Sequence, residues 1–217
     1  MKLERMEDFF STRVVGYDEH MRTTIEGATD FYAYTASLMP VEKDARILDL
    51  GCGTGLELEE YFRINPDADV TGIDLSEAML NALKEKLPDR KIQLIHGSYF
   101  DIPFGEKVYD AAVSVESLHH FPATQKEALY GKLLAALKDK GYFVLTDYFA
   151  ESEELEKEYF QNLKRLKEEQ GLSEDDFFHY DTPLTVDHEV RILRQAGFSD
   201  VQILFTWGST YSVLARH

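Results

Sequence analysis

The chain has 217 residues, of which 44% are hydrophobic, so it is long enough for one α/β domain with a buried core on both faces of a sheet. Its 40 acidic residues outnumber its 23 basic residues and give a formal net charge of −17, which repels phosphate backbones and argues against nucleic acid as a partner. We also expect a cytoplasmic protein without a membrane span, because residues 1–10 lack the apolar run of a signal peptide, no stretch approaches ~18 consecutive apolar residues, and Cys52 is the only cysteine.

Residues 1–40 are predicted to form an N-terminal helical lid, beside a main domain formed by residues 41–217. Their aromatic residues are spaced irregularly but helically: Phe9, Phe10, Tyr17, Phe31, Tyr32 and Tyr34. Such helices are expected to lie across the open ligand cleft of the domain. For any one of these aromatic side chains, packing against a sheet edge is an equally good interpretation.

The stretch from Arg46 to Leu58, R-I-L-D-L-G-C-G-T-G-L-E-L, reads as a buried strand followed by a glycine-rich turn and a helix. Gly51, Gly53 and Gly55 remove side chains where the backbone must turn sharply and a ligand must approach, and the following helix offers unpaired N–H groups. The pattern predicts a loop that binds a nucleoside cofactor. Cys52 is interpreted as a small buried residue beneath that cofactor rather than as a nucleophile.

A second predicted strand, residues 70–74, ends in Asp74, nineteen residues after Gly55. A carboxylate at that position can accept hydrogen bonds from both ribose hydroxyls of an adenosine, and it excludes a 2′-phosphate. The dinucleotide-binding motif has glycine or alanine at the sixth position counted from Gly51, where this chain has Leu56. NAD is therefore disfavoured as the cofactor.

Further strands and helices alternate along the chain, as in a doubly wound parallel sheet. The first helix is predicted for residues 56–63, and the second begins at Ser76 and ends before Pro88. A third helix is predicted to begin at a capping box formed by Thr124 and Glu127, and a fourth to follow Thr185 and end at Gly197. Strands are predicted for residues 92–96, 108–115, 142–146, 201–205 and 211–215.

Residues 151–185 are predicted to form a cap insertion that is helical and then aromatic. Its helix carries an apolar face and ends at Gly171, before the sequence F-F-H-Y-D-T-P. The residues of that face are Leu155, Tyr159, Leu163 and Leu166. Together with residues 1–40, this segment is expected to form the roof of a ligand pocket.

The D-x-G-x-G-x-G spacing of Asp49, Gly51, Gly53 and Gly55, followed by V-T-G-I-D-L-S, resembles the class I S-adenosylmethionine-dependent methyltransferases of the small-molecule type. The resemblance covers residues 41–147. It implies an open, doubly wound, mostly parallel seven-stranded sheet with helices on both faces, a Rossmann-like fold, closed by an antiparallel hairpin. It also implies that S-adenosylmethionine is the cofactor, S-adenosylhomocysteine the product, and a small organic molecule the acceptor of the methyl group at O, N, S or C.

The resemblance also assigns cofactor contacts. Asp49 would orient the glycine loop and the methionine end of the cofactor, Gly51 and Gly53 would line the homocysteine portion, and Asp74 would bind the ribose. The full expected set is Arg13, Tyr17, Asp49, Gly51, Cys52, Gly53, Gly55, Asp74, Leu75, Ser98, Tyr99 and Val115. Ser98 departs from the family, which usually has an acidic residue there that pairs with the adenine amino group; a hydroxyl can accept the same hydrogen bond more weakly.

Residues 114–121, S-V-E-S-L-H-H-F, resemble the family's fourth motif, at the rim that faces the methyl group. Glu116 and His119 are the acid/base candidates, because histidine titrates near neutrality and a carboxylate can steady a cation. His119 and His120 are adjacent and cannot share one helical face. No metal is expected, because no further ligand pair with recognisable spacing accompanies these residues. Tyr148 is a third catalytic candidate.

Tyr148, Tyr180 and Trp207 are interpreted as an acceptor box that acts by stacking or cation–π contact, with core packing as an equal alternative. Three other functions stay open. A non-catalytic protein that binds S-adenosylmethionine or S-adenosylhomocysteine is suggested by Ser98, an RNA-modifying methyltransferase would require a local basic patch, and an NAD-linked oxidoreductase is opposed by Leu56. Both a monomer and a homodimer are compatible with the sequence.

Overall fold

The computed structural model describes residues 1–173 and 176–217, and in them seven strands form one sheet. The strands are β1 (Arg46–Leu50), β2 (Asp69–Asp74), β3 (Ile92–His96), β4 (Tyr109–Val115), β5 (Leu137–Tyr148), β6 (Asp200–Trp207) and β7 (Thr210–Arg216). They lie in the order β3-β2-β1-β4-β5-β7-β6. The first five strands pair in parallel, whereas β7 is antiparallel to both β5 and β6. The mostly parallel sheet with a C-terminal antiparallel hairpin is therefore confirmed.

Helices cover both faces of this sheet. They are α1 (Met6–Arg13), α2 (Tyr17–Thr24), α3 (Ala28–Ser37), α4 (Leu56–Ile64), α5 (Glu77–Lys86), α6 (Ala123–Ala136), α7 (Glu153–Gln170) and α8 (Val186–Gln195). Ile47 of β1 packs with residues of α3, α4 and α5, whereas Leu48 and Leu50 pack with residues of α6 and α8. Because strand side chains alternate between faces, one buried strand serves two cores. No helix within residues 1–173 and 176–217 has the length and apolar character needed to cross a membrane.

The helix boundaries predicted at Ser76, Thr185 and Gly171 are confirmed. The hydroxyl of Ser76 accepts a hydrogen bond from the backbone N–H of Met79 at 3.3 Å, and that of Thr185 accepts one from His188 at 3.2 Å. Each hydroxyl satisfies an N–H group that has no partner within its helix. Gly171 ends α7 with φ of 62°, a left-handed conformation that glycine adopts without steric cost.

The capping box predicted at Thr124 and Glu127 is wrong. Helix α6 begins at Ala123, and its N-cap is Pro122, with no side-chain hydrogen bond at the cap. The proline ring holds φ at −71°, which suits entry into a helix, so the chain turns there without a hydroxyl cap. Thr124 consequently lies inside the first helical turn.

Strand β5 is longer than the predicted residues 142–146. Leu137 pairs with Tyr109, and after a register shift Tyr142 pairs with Ala111. The charged residues 138–140 show no apolar alternation, so the sequence pattern gave no sign of this first part of the strand. Pairing with β4 across the bulge extends the strand there.

Two segments outside the sheet join each other as a roof above the strand ends. The backbone N–H of Met6 donates to the carbonyl of Phe177, and that of His179 donates to the carbonyl of Glu4, each at 3.0 Å. Residues 1–24 and the cap after β5 are therefore held together by main-chain hydrogen bonds. Positions 174 and 175 of the predicted cap lie outside the described residues.

Helix α3 does not belong to this roof. Phe31 is fully buried, and the hydroxyl of Thr35 lies 2.6 Å from that of Thr146 in β5. The helix packs on the sheet beside α4. Of the residues predicted as a lid, 1–40, those of α3 therefore lie outside the roof, because Phe31 and Tyr32 are buried in the core beside the sheet.

A buried ion pair joins α6 to α8 and supplies a stability test. The ammonium group of Lys126 lies 2.6 Å from the carboxylate of Glu189, both side chains are at most 2% exposed, and the Tyr130 hydroxyl also contacts Glu189. Lys126→Met should lower the free energy of unfolding by about 3–5 kcal/mol, because it leaves a buried carboxylate without its cation. Urea denaturation measures this loss. Lys107→Met removes the exposed pair with Asp139 and should change little; equal losses in both variants would contradict the interpretation.

Candidate functional site

The glycine loop lies at the carboxyl ends of β1 and β2. The backbone N–H of Gly51 donates to the carbonyl of Ile73 at 2.8 Å, which ties the loop to β2. Gly51, Gly53 and Gly55 have φ values of 76°, 47° and 73°, all in the left-handed region that favours glycine. A Cβ atom at Gly51 would lie 2.0 Å from the hydroxyl oxygen of Ser117, so that position has no room for a side chain.

Asp74 ends β2 with its carboxylate turned towards this loop. One oxygen accepts a hydrogen bond from the N–H of Gly53 and the other accepts one from the N–H of Ser76, each at 2.8 Å. Burial raises the pKa of Asp74, and these backbone hydrogen bonds oppose that rise. A carboxylate offers about four acceptor positions, so both oxygens keep capacity for the hydroxyl groups of a ligand.

A narrow cleft of about 60 Å³ opens between the loop and α1. The predicted cofactor residues that line it are Tyr17, Gly51, Gly53, Asp74, Leu75, Tyr99 and Val115. It is also lined by residues that the sequence reasoning did not assign to the cofactor: Met6, Phe10, Met79, Ser117 and His120. Ser117 and His120 lie within the fourth motif and could have been found there, whereas Met6 and Phe10 reach the cleft only because α1 folds over it.

Cys52, Gly55 and Ser98 were predicted to contact the cofactor but do not line the cleft in the described structure. The thiol of Cys52 points into the core, where a Cβ atom at Gly72 would lie 2.8 Å from its Sγ. Gly55 is the N-cap of α4. The hydroxyl of Ser98 accepts a hydrogen bond from the N–H of Phe100 at 3.2 Å, so it is engaged within its own turn rather than aimed at a ligand.

Arg13 lies at the larger cavity described below rather than at this cleft. Its guanidinium is 3.1 Å from a carboxylate oxygen of Glu4 and 3.8 Å from the ring centre of Phe9. Arg13, expected among the cofactor contacts, is therefore paired within the roof and does not line the cleft.

Asp49 is buried beneath the loop beside Glu57 of α4. Neither carboxylate oxygen of Asp49 has a hydrogen-bond donor among the described residues. Burial raises the pKa of Asp49 well above its ordinary value and that of Glu57 to about 7, and the proximity of two carboxyl groups contributes to the rise for Asp49. Asp49 thus lies directly beneath the loop, and its role in orienting the loop and the methionine end of the cofactor stays a prediction.

A larger cavity of about 730 Å³ adjoins the cleft. Both spaces are lined by Phe10, Tyr17, Glu116 and His120, so these side chains mark where the two meet. Helices α1 and α2 provide most of its apolar wall, and its polar groups come from those helices, from the segment after β4 and from the cap. Ligand sites commonly combine an apolar wall with a few polar groups in this way.

Glu116 follows β4 and stands between the two spaces. Its φ of 49° is rare for a residue with a side chain, and its N–H donates to the carbonyl of Thr146 at 2.9 Å. The hydroxyl of Thr210 donates to its carboxylate at 3.0 Å. Burial raises the pKa of Glu116 to about 7, and the nearby charge of Asp147 adds to that effect. Backbone strain of this kind is found at functional sites, and here it directs a carboxyl group to the junction.

His119 is held by a buried carboxylate at the end of β5. Its Nδ1 lies 2.6 Å from Oδ1 of Asp147. The N–H of Tyr148 also donates to this Oδ1, at 2.9 Å, and the N–H of Leu118 donates to Oδ2 of Asp147, at 2.8 Å. Burial by itself lowers the pKa of His119, but the carboxylates of Asp147 and Asp181 raise it well above its ordinary value. The imidazole is thereby favoured as a cation, which makes it a hydrogen-bond donor rather than a ready proton acceptor.

Asp181 is a site residue that no sequence pattern indicated. Its Oδ1 lies 3.6 Å from Nε2 of His119 and 3.3 Å from Nδ1 of His120. His119 and His120 belong to a short 3₁₀ turn, Leu118–His120, rather than to one face of an α-helix, and their ring centres are 4.0 Å apart. Only the folding of the cap onto this turn brings Asp181 there.

The structure does not bring Tyr148, Tyr180 and Trp207 together in one cavity wall, and for Trp207 it favours the alternative of core packing. Tyr148 lines the larger cavity, and its hydroxyl lies 3.4 Å from that of Tyr159 in α7. Trp207 instead packs at the β6–β7 hairpin, with its ring centre 5.4 Å from that of Tyr34. Neither Tyr180 nor Trp207 is among the described residues that line the cavity. Aromatic character alone did not reveal on which side of the sheet each ring would lie.

Comparison with known proteins agrees with the loop, the carboxylate and the sheet order. Residues 47–141 match the family model described as a methyltransferase domain. The chain is 24% identical to the carboxy-S-adenosyl-L-methionine synthase of Nautilia profundicola, over 96% of this chain and 89% of that protein. It is 31% identical to the fatty-acid O-methyltransferase of Mycolicibacterium smegmatis, over 60% of this chain and 45% of that protein.

Together these likenesses support a class I S-adenosylmethionine-dependent methyltransferase. The fold agrees: human N-acetylserotonin methyltransferase, solved in complex with S-adenosylmethionine, superposes with a TM-score of 0.67 at 18% identity, covering 97% of this chain and 56% of that chain. The match to a methyltransferase domain supports S-adenosylmethionine as the cofactor. The family prediction made from Asp49, the three loop glycines and Asp74 is therefore confirmed. The alignment spans less than half of the fatty-acid O-methyltransferase.

The geometry of the methyltransferase loop gives a second stability test. Gly51→Ala should destabilise the fold, because a left-handed backbone costs a residue with a Cβ about 1–2 kcal/mol and the new methyl group would lie 2.0 Å from the Ser117 oxygen. Gly131→Ala is the matched control: this glycine lies in α6, a Cβ there meets nothing within 4 Å, and the change should stabilise by about 0.5–1 kcal/mol. Urea midpoints compare the two, and a Gly51→Ala variant as stable as the wild type would show that the loop has another conformation.

Proposed function

We propose that this protein transfers the methyl group of S-adenosylmethionine to a small organic acceptor bound in the larger cavity. The observation that carries the proposal is that the two spaces adjoin and share Tyr17 and Glu116 in their walls. A cofactor in the cleft would present its methyl group at this junction to an acceptor on the other side. A cavity of about 730 Å³ is in the range of small-molecule sites.

In this proposal the cofactor contacts follow the cleft lining. Asp74 accepts hydrogen bonds from the ribose hydroxyls, and Gly51 and Gly53 leave room for the homocysteine portion. Leu75 packs against the adenine. Tyr17 of α2 closes the cleft from the roof. Because the cleft holds only about 60 Å³, we propose that α1 and α2 move outward when the cofactor enters.

The proposed chemistry is an in-line displacement in which an acceptor atom attacks the methyl carbon and the sulfur leaves as a neutral thioether. The cofactor supplies the reactivity, so the protein needs to align the two atoms at about 3–3.5 Å and exclude water. Glu116 is placed beside the positive sulfonium, whose charge favours the ionised form of a carboxyl group with a pKa of about 7.

His119 is placed to act on the polar group of the acceptor. Its Nδ1 is occupied by Asp147, so Nε2 is the atom that can face the acceptor cavity. We propose that it stabilises an acceptor oxygen as a positively charged partner instead of removing its proton, because the Asp147 and Asp181 carboxylates favour the imidazolium. Tyr148 forms part of the wall beside it.

The net charge of −17 supports a small molecule rather than nucleic acid as the acceptor, and the single cysteine supports the proposal of a cytoplasmic location. The direct test supplies S-adenosylmethionine with an isotopically labelled methyl group together with fractions of a small-molecule extract. Label recovered in a small molecule, with an equal amount of S-adenosylhomocysteine, supports the proposal. Cofactor binding without any labelled product would contradict it.

A second candidate is modification of S-adenosylmethionine itself. It is favoured by the likeness to carboxy-S-adenosyl-L-methionine synthase, which extends over 96% of this chain, further than the likeness to the fatty-acid O-methyltransferase. Mass spectrometry of the cofactor pool after incubation with the same extract separates the two reactions. A heavier form of S-adenosylmethionine indicates the second candidate, and S-adenosylhomocysteine indicates methyl transfer.

Asp74→Ala tests the ribose contact. The variant should bind S-adenosylhomocysteine more weakly by roughly 1.5–3 kcal/mol, because charged hydrogen bonds to the ribose are lost. Calorimetric titration measures the affinity. Asp69→Ala is the matched control at the opposite end of β2, where the carboxylate pairs with Lys91, and it should bind normally. Equal affinity in both variants would remove the ribose assignment.

His119→Ala tests the role of the imidazole. The variant should retain S-adenosylhomocysteine binding, whereas turnover should fall by about 10²-fold or more, because the positive partner of the acceptor oxygen is gone. Initial rates with the acceptor found above measure the effect. His217→Ala, an exposed change at the last residue of the chain, should keep wild-type turnover. Wild-type turnover in His119→Ala would leave this histidine with a structural role.

A further inference from the structure

The wall of the larger cavity carries three metal-ligand side chains in one group: His119, His120 and Asp181. One ligand atom from each lies within 4.8 Å of the others. The oxygen of Asp181 is 3.6 Å from Nε2 of His119 and 3.3 Å from Nδ1 of His120. Nitrogen and oxygen ligands lie about 2.0–2.2 Å from a bound Zn²⁺, so ligand atoms around one ion are separated by roughly 3–4 Å. The group therefore has nearly the spacing that one ion requires.

His119 is already oriented as a metal ligand. Asp147 is 99% buried and holds Nδ1 of the ring at 2.6 Å, which leaves Nε2 to point towards Asp181. A carboxylate behind a histidine in this way fixes the ring orientation and raises the basicity of the ligating nitrogen. The N–H groups of Leu118 and Tyr148 hold the Asp147 carboxylate in turn.

Asp181 is also fixed, although its side chain is 49% exposed. The neighbouring Thr182 is fully buried, and its N–H donates to the carbonyl of His119 at 2.9 Å. This hydrogen bond holds the cap against the 3₁₀ turn and brings the carboxylate to the two rings. All three side chains line the larger cavity, which leaves space beside them for further ligands.

We propose that His119, His120 and Asp181 bind one divalent transition-metal ion. Two imidazole nitrogens and one carboxylate oxygen suit Zn²⁺, Fe²⁺, Co²⁺ or Mn²⁺ better than Mg²⁺ or Ca²⁺, which prefer oxygen ligands throughout. Nδ1 of His120 also lies 3.3 Å from the carbonyl of Tyr180, so binding requires the tautomer in which Nδ1 carries no proton. Three protein ligands leave open positions for water or a ligand from the cavity.

A second group, Glu116, His119 and Asp147, also has metal-ligand spacing. It is the weaker candidate because Asp147 already accepts three hydrogen bonds, one of them from the ring nitrogen of His119 that faces it. An ion there would displace the contact that orients His119. In the group with Asp181, the contact between Asp147 and Nδ1 of His119 is kept, and it orients Nε2 towards the ion.

An ion at this site would take the place of the proton on Nε2 of His119 and keep positive charge facing the acceptor. An acceptor oxygen could then complete the coordination, and a bound metal lowers the pKa of such an oxygen ligand. That use of the ion rests on the proposed function. The ion site itself does not, since it stands on the three side chains and their supports.

The test is titration of the chelator-treated full-length protein with Co²⁺, followed by its visible ligand-field absorption and by calorimetry. We expect one Co²⁺ per chain. Asp181→Ala and His120→Ala should abolish binding, and Asp147→Asn should weaken it by about 10–100-fold, since it removes the support behind His119. Asp139→Ala and His217→Ala are exposed matched controls and should bind as the wild type does.

S-adenosylhomocysteine titration of the same samples reports the cofactor cleft independently. A wild-type protein that binds S-adenosylhomocysteine but takes up no Co²⁺ overturns the ion site, as does an Asp181→Ala variant that binds Co²⁺ with wild-type affinity. Because Asp181 is half exposed, its replacement should leave the fold intact. Co²⁺ binding without any methyl transfer would uphold the ion site and overturn the proposed function instead.

Discussion

Parallel pairing of β2, β1, β4 and β5 brings the carboxyl ends of four strands to one edge of the sheet, and the site depends on that constraint. Asp74 ends β2, the glycine loop follows β1, Glu116 follows β4, and Asp147 lies near the end of β5. In an open α/β sheet, ligands bind outside the carboxyl ends of the strands. Four segments that are distant in the sequence therefore meet because their strands are parallel and in register.

This edge concentrates acidic groups. Asp74, Glu116 and Asp147 are buried or partly buried there, and the Asp49 and Glu57 pair lies beneath them. Burial raises the pKa of an isolated carboxyl group, so such a cluster is more stable when a cation is present. A sulfonium cofactor is one such cation. The His119 imidazolium, or a metal ion in the place of its proton, is the other, and it lies on the acceptor side of Glu116.

The roof encloses the larger cavity on one edge of the sheet. Helices α1 and α2 and the cap after β5 meet through main-chain hydrogen bonds, and they enclose the larger cavity. The same association places Asp181 beside His119 and His120. In the proposed function, acceptor selection and charge in the cavity are coupled, since a movement of the cap would change both the space for the acceptor and the partner of the two histidines.

The sequence by itself determined the sheet, the family and much of the cofactor cleft. Gly51, Gly53 and Asp74 could be placed because local physics constrains them: a tight turn requires glycine, and a strand end with a carboxylate suits a ribose. The helix caps at Ser76 and Thr185 could likewise be predicted, since each hydroxyl accepts a hydrogen bond from the first turn of the helix that it caps. These features depend on residues that are close together in the sequence, so a local sequence pattern can predict them.

Tertiary structure alone decided which residues line the larger cavity. Asp181 lies in a segment without a motif, and it reaches His119 only because Thr182 hydrogen-bonds to the 3₁₀ turn. Trp207 and Arg13 had the right chemistry for ligands, yet one packs at the far hairpin and the other pairs with Glu4. Contacts between segments that are distant in the sequence depend on how whole elements dock. No local period or spacing encodes that docking in a single sequence.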